Sequence, residues 1–153
     1  MGIQSDVRGK GLRDNKGKPP LHFIPPSLMS YLGEHSIPTV WGMLDDGWCG
    51  KRSWTEVLWH VVDYFGENYM DEASFVFQFG AEKYAPFNWA KGMAWSIPLD
   101  CAMRHLRAHA HGEEADPESG YSHIGHLVCN LIMLAFFERT YPEGNDLPGF
   151  LAE

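Results

Sequence analysis

Apolar residues recur at helical spacing in several stretches of the chain, separated by polar or glycine-rich segments. The clearest stretch runs from about residue 120 to 141. There Tyr121, Ile124, Leu127, Val128, Leu131, Ile132, Leu134, Ala135 and Phe136 make the pattern apolar almost all round, as suits a helix at the centre of a bundle. Pro142 and Gly144 end it. Upstream, Leu99, Ala102, Met103, Leu106 and Ala110 form one stripe. With Ser96 as N-cap, Pro98 in the first turn and Gly112 as terminator, the spacing predicts a helix over 97–111. Ser53-Trp-Thr-Glu56 has capping-box spacing, and Trp54, Leu58, Val61, Val62 and Phe65 share one face, which predicts a helix over 54–69. Asp71 or Ser74 can open a further helix through Phe75 and Phe79 towards Lys83. Phe75-Val-Phe77 also suits a strand, and helix is the reading adopted.

The intervening segments are less regular. Ser27 can cap a short helix through Leu32 before Gly33. Residues 35–51 are rich in Pro, Gly, Trp and Asp and lack a sustained period, which predicts an ordered loop or insertion with Trp41 and Trp48 lying on the body. GEEADPESG connects the last two helices, with Ser119 or Ser122 as the next cap, and residues 143–153 read as a tail laid across the surface by Leu147, Phe150 and Leu151. Residues 1–20, with four glycines and two prolines, read as a flexible N-terminal segment, and residues 21–153 as one helical domain. The predicted fold is all-α: an antiparallel helical bundle of four to five helices, with the helix from about 120 to 141 at its centre.

Composition narrows the partners. A formal charge of −8 argues against a broad surface for duplex nucleic acid. Cys49, Cys101 and Cys129 are widely spaced with no CxxC pair, so neither a disulfide framework nor a zinc ribbon is expected, and a reducing cytoplasm fits best. No apolar run approaches the roughly 18 residues of a membrane span.

The candidate chemistry concentrates between Arg104 and Asn130. Five of the eight histidines fall there with Glu113, Glu114, Asp116 and Glu118, so imidazoles from two helices can converge with carboxylates from the loop between them. His123, His126 and Asn130 stand at i, i+3 and i+7 on the apolar helix, and burying them costs about 1 to 3 kcal/mol each unless they find partners. His105 and His109 share a face of the preceding helix. Asp100 and Arg104, four apart, read in the plainest way as a modest surface ion pair. Acidic oxygens with one or two imidazoles suit Mg²⁺, Mn²⁺ or a similar first-row ion. A phosphoanhydride site needs such an ion together with cations to hold a leaving pyrophosphate, which Arg104, Lys83 and Lys91 could supply.

Within FGAEKYAPFNWAKG, Lys83 and Lys91 can meet phosphates, Asn88 can bond a base or phosphate, and Tyr84 or Trp89 can stack on a purine. The same segment also reads as an aromatic loop packed on the core. Asp14, Lys16 and Lys18 in RDNKGKPPL either belong to a solvated tail or fold over a bound phosphate. No GxxxxGK[ST], GxSxG or HExxH motif occurs, and no His-Asp dyad.

KGKPPLHFIPP, FGAEKYAPFNWAKG and RHLRAHAHGEEADPESGYSHIGHLVCNLIML together resemble the dATP/dGTP diphosphohydrolase N-terminal family of phages and bacteria, which is associated with the MazG-like all-α pyrophosphohydrolases. The resemblance covers roughly residues 14–34 and 79–141. It implies cleavage of a purine deoxynucleoside triphosphate to monophosphate and pyrophosphate with Mg²⁺ or Mn²⁺, a role in shaping a phage nucleotide pool, and a dimer or tetramer. Carried over, Glu113, Asp116, Arg104 and Lys83 are the expected catalytic residues. Tyr84, Asn88, Trp89, His105 and Asn130, together with Lys16, Lys18 and Lys91 from the reading of the residues themselves, are expected to hold substrate. Glu113, Asp116, Glu118, His123 and His126 are the expected metal ligands. One departure stands out: where MazG-like enzymes carry ExxD, this chain has His123-Ile-Gly-His126. The alternative is a non-catalytic nucleotide-binding protein on the same fold.

Overall fold

The axis of the molecule is the helix that the sequence marks most clearly. The computed structural model describes residues 7–13, 15–31 and 37–152. It contains helices α1 (Pro38–Trp48), α2 (Trp54–Phe65), α3 (Asn68–Lys83), α4 (Ser96–Ala110) and α5 (His123–Thr140), with short 3₁₀ turns between and around them. No strand occurs among the described residues; a lone antiparallel bridge joins Ala115 and Ser122. Helix α5 packs against α2, α3 and α4 together, and its Leu127, Val128, Leu131, Leu134 and Phe137 are fully buried. The protein is an all-α bundle, as the periodicity predicts.

Local chemistry explains most of the boundaries. Ser53 and Glu56 form the expected capping box at α2. That helix stops at Gly66, whose φ of +122° suits glycine, so it ends short of residue 69 and α3 starts at Asn68 rather than at Asp71. The strand alternative at Phe75-Val-Phe77 fails because Ala73 and Val76 of α3 are the buried positions, three apart, while Phe75 is half exposed. Ser122 caps α5, accepting from Gly125 N at 2.9 Å.

Three expectations need correction. Residues 38–48 are helix, not loop: Val40, Trp41, Leu44 and Gly47 form a buried face behind the turn-like Gly and Asp residues. Gly47 is required because a Cβ there would lie 2.6 Å from the Trp54 ring. Trp41 is a core residue, and Trp48 donates its indole N–H to His22 O. Secondly, Ser96 is not the N-cap of α4 but its first residue. Asp146, from beyond α5, accepts from Ser96 N at 2.9 Å and Ser96 Oγ at 2.6 Å. Thirdly, of the three apolar residues expected to lay the closing segment on the surface, Leu147 packs on the core while Phe150 and Leu151 are mostly exposed. The short helix expected from Ser27 is a 3₁₀ turn over Pro26–Tyr31; Leu32, Gly33 and residues 34–36 lie outside the described residues.

The N-terminal segment forms a strap. Gly9 and Gly11 donate backbone N–H groups to Lys91 O and Gly92 O. Asn88 accepts from Leu12 N at 3.3 Å and donates to Leu12 O at 3.0 Å. Arg8 pairs with Glu143. Residues 7–13, read as part of a flexible segment, are therefore bonded to the loop before α4.

Candidate functional site

Helices α4 and α5 run antiparallel, which brings His105, in the last turns of α4, to the first turns of α5. His105 Nδ1 lies 2.8 Å from His123 Nδ1, and its ring stacks on His126 with centroids 4.2 Å apart at 12°. The loop between the helices brings the acids. Glu113 Oε1 is 2.7 Å from His123 Nε2. Asp116 Oδ2 lies 3.8 Å from His126 Nε2, which is also 2.6 Å from Ser119 Oγ.

Backbone bonds fix that loop. Asp116 N donates to Tyr121 O, Gly120 N to Asp116 O, and His123 N to Glu114 O, while Asp116 Oδ2 accepts from Ser119 N at 2.9 Å. From α3, Glu72 accepts from Ser122 N at 2.5 Å. Gly125 makes room for it, since a Cβ there would lie 2.8 Å from Glu72 Cγ.

One ligand atom each from His105, Asp116 and His123 lies within 4.8 Å of the others. Two imidazoles and a carboxylate at that spacing fit a first-row divalent ion. Glu113 stands behind the His123 ring at Nε2, the placement of a carboxylate that orients a histidine towards a metal. Beside the cluster opens a cavity of about 420 Å³, bordered by Asp116, His123 and His126, by Arg13 and Arg104, and by Phe77, Tyr84 and Trp89. That volume is in the range of small-molecule sites.

The sequence of residues 50–147 matches the family model described as dATP/dGTP diphosphohydrolase, N-terminal. The chain belongs to this family. No curated protein and no solved structure matches it. The family region takes in α2 to α5, and so the whole imidazole–carboxylate cluster and residues 50–78, which the motif resemblance did not reach. The KGKPPLHFIPP stretch lies outside it.

The family region gathers most of the residues singled out from sequence. Lys83, Tyr84, Asn88, Trp89, Arg104, His105, Asp116, Glu118, His123, His126 and Asn130 border the cavity, as does Lys18 from the strap side. Lys16, Lys91 and Glu113 do not. Glu113 instead acts on the cluster through His123. Lys83 and Glu118, expected in different roles, form an ion pair with each other at 2.8 Å, both largely exposed. Asn88, nominated for substrate, has its amide engaged with Leu12. Asn130 donates to His126 O and accepts from Arg13 at 3.3 Å. Trp89 packs on Phe77 and Phe136, so the aromatic-loop reading of this segment holds alongside its place at the cavity.

The expected Asp100–Arg104 pair is not made: Asp100 Oδ1 takes His22 N and Nδ1, and Arg104 turns to Asn15 and Cys101. His109 parts from His105 and meets the Phe65 ring edge-on. Asp14 lies outside the described residues. Sequence reasoning missed Glu72, Ser119 and Arg13; the glycine inside the apolar HIGH turn was the one available sign of a close neighbour at Glu72.

Burial, reinforced by His126, His123 and two arginines, pushes the His105 imidazole down from 6.5 to about 2. Burial also lowers His126, against the pull of Asp116. Neutral imidazoles are the metal-binding form. The unfolded chain protonates such a ring near pH 6.5, whereas the folded chain resists until far lower pH. Stability from His105 is therefore intact above about 6.5 and is lost as pH falls through the window towards 2, by up to about 1.4 kcal/mol per pH unit for each excluded proton. The urea midpoint of chelator-treated protein is expected to fall between about pH 6.5 and 4.5, and His105→Gln to flatten that slope. Equal slopes in the two proteins would contradict a neutral, buried His105.

Proposed function

We propose that this protein is a divalent-metal-dependent hydrolase that splits purine deoxynucleoside triphosphates, dGTP or dATP, into monophosphate and pyrophosphate. The observation that carries the reading is the convergence of His105, Asp116 and His123 beside a nucleotide-sized cavity in a chain of the diphosphohydrolase family. His105, Asp116 and His123 would hold the ion. Two imidazoles favour Mn²⁺ over the harder Mg²⁺. Held there, the ion would supply Lewis acidity towards a phosphoryl oxygen and positive charge against that building on the phosphate chain.

The chain's own groups do the rest. Glu113 holds the His123 ring at Nε2, with Nδ1 facing the site. Ser119, 2.6 Å from His126 Nε2, orients that ring against His105. Trp89 and Tyr84 offer ring faces to a purine, and Arg104, with Lys18 at the cavity edge, offers positive charge to phosphates.

The eight common ribo- and deoxyribonucleoside triphosphates, each incubated with the protein and Mn²⁺ or Mg²⁺ and resolved by anion exchange, test the substrate class. Monophosphate from a purine deoxynucleotide subset is the expected product. Eight unchanged nucleotides, with one of them retained on the protein, would replace the hydrolase reading with that of a nucleotide binder in which His123-Ile-Gly-His126 no longer supports turnover.

A further inference from the structure

The strap that crosses the loop before α4 ends in a guanidinium with unusual company. Arg13 Nη1 donates to Cys101 Sγ at 2.8 Å, and Nη2 donates to Asn130 Oδ1 at 3.3 Å and Met133 Sδ at 3.1 Å. Arg104 Nη2 donates to the same Cys101 Sγ at 3.1 Å and to Asn15 Oδ1 at 2.9 Å, and its Nη1 reaches Pro19 O. Two guanidinium groups thus meet one sulfur atom. Their acceptors are sulfur atoms, amide oxygens and a backbone carbonyl.

No carboxylate pairs with either arginine among the described residues. In a chain carrying −8 overall acids are plentiful, yet among the described residues neither of these converging cations is in an ion pair. Thiol and thioether sulfurs are weak acceptors and amide oxygens are uncharged ones, whereas the planar fork of a guanidinium matches the charged oxygens of carboxylate or phosphate. Repulsion between the two cations is relieved by an anion placed between them. Both arginines border the cavity that also touches Asp116 and His123.

We propose that Arg13 and Arg104 form a two-guanidinium subsite for the polyphosphate chain of the substrate, with Arg13 supplied by the strap from outside the family region. The inference deepens the hydrolase reading and rests on it for the identity of the anion. It makes the strap part of the binding site: the Leu12–Asn88 amide bonds and the backbone bonds of Gly9 and Gly11 position Arg13. The carboxylate–imidazole end would then take the ion, and the arginine end the phosphates.

Calorimetric titration of the full chain with inorganic pyrophosphate in chelator-containing buffer separates this subsite from turnover. Wild-type protein is expected to bind, and Arg13→Gln and Arg104→Gln each to weaken binding about tenfold or more, while Arg107→Gln, on α4 away from the cavity, does not. Deoxyguanosine monophosphate run in parallel distinguishes a site for the leaving pyrophosphate, which both variants weaken most, from one for the nucleotide's own phosphate. Thermal melts of each variant establish that it is folded; if Arg13→Gln is not, Arg104→Gln decides. Wild-type affinity in a folded variant, or no pyrophosphate binding by the wild type, overturns the subsite whether or not the protein hydrolyses nucleotides. Conversely, an inactive protein that binds pyrophosphate through both arginines would retain the subsite and lose the hydrolase reading.

Discussion

Asp116→Asn is expected to lower pyrophosphate release by more than about 100-fold while leaving the protein folded. Losing a partner that merely orients a metal ligand already costs about 10- to 100-fold, and Asp116 is itself one of the three groups whose ligand atoms converge. The substitution removes the charge but keeps an oxygen for Ser119 N, which Asp116 Oδ2 now accepts at 2.9 Å, so the loop geometry is expected to persist. His126→Ala tests the same cluster from the helix side, because it removes the ring stacked on His105 and leaves Ser119 Oγ without that partner. Loss of turnover is expected there too, and full activity in both folded variants would remove the proposed site. Initial rates with dGTP and dATP, beside melting temperatures for each variant, make the comparison.

The largest expected effect on stability lies elsewhere on α5. Phe137 is fully buried and packs near the Trp89 ring. Truncation to Ala is expected to cost about 3 to 5 kcal/mol, since lost transfer energy and the remaining cavity add. For a domain of this size that is a fall of roughly 10 °C in melting temperature. Phe137 stands seven residues beyond Asn130, about 10 Å along the helix, so the site end of α5 is not directly disturbed. Urea unfolding measures the loss, and a change below about 1 kcal/mol would contradict the central place given to α5.

How much of this was legible from sequence depended on the distance between cause and effect along the chain. The capping box at Ser53 and the apolar run of α5 carry their own signals within one or two turns; α2 starts where expected, though Gly66 ends it early, and α5 lies within the expected stretch. Helix α1 does not, because Gly42, Asp45, Asp46 and Gly47 mimic a loop. What favours helix there is tertiary: the Trp54 ring over Gly47 and the Ser27 N–H on Asp45. The N-terminus of α4 was misread for the same reason, its partner Asp146 being 50 residues away from Ser96.

The site divides in the same manner. The imidazoles and acids between His105 and His126 are close in sequence, and the fold had only to pair two neighbouring helices to bring them together. Glu72, 50 residues from Ser122, and Arg13, 88 residues from Cys101, carried no local mark of their role. Contacts within the cluster were also beyond the sequence: His105 has a ring nitrogen within 4.8 Å of ligand-type atoms of Asp116 and His123, while Glu113 stands behind the His123 ring.

Metal-dependent cleavage that releases pyrophosphate is tested by a product balance on metal-stripped protein. Pyrophosphate, orthophosphate and nucleoside monophosphate would be quantified from dGTP and from dATP, first with chelator and then after Mn²⁺ is restored. No turnover is expected with chelator, and equal amounts of monophosphate and pyrophosphate once the ion returns. Orthophosphate in place of pyrophosphate, or a rate that chelation leaves unchanged, would contradict metal-dependent pyrophosphate release.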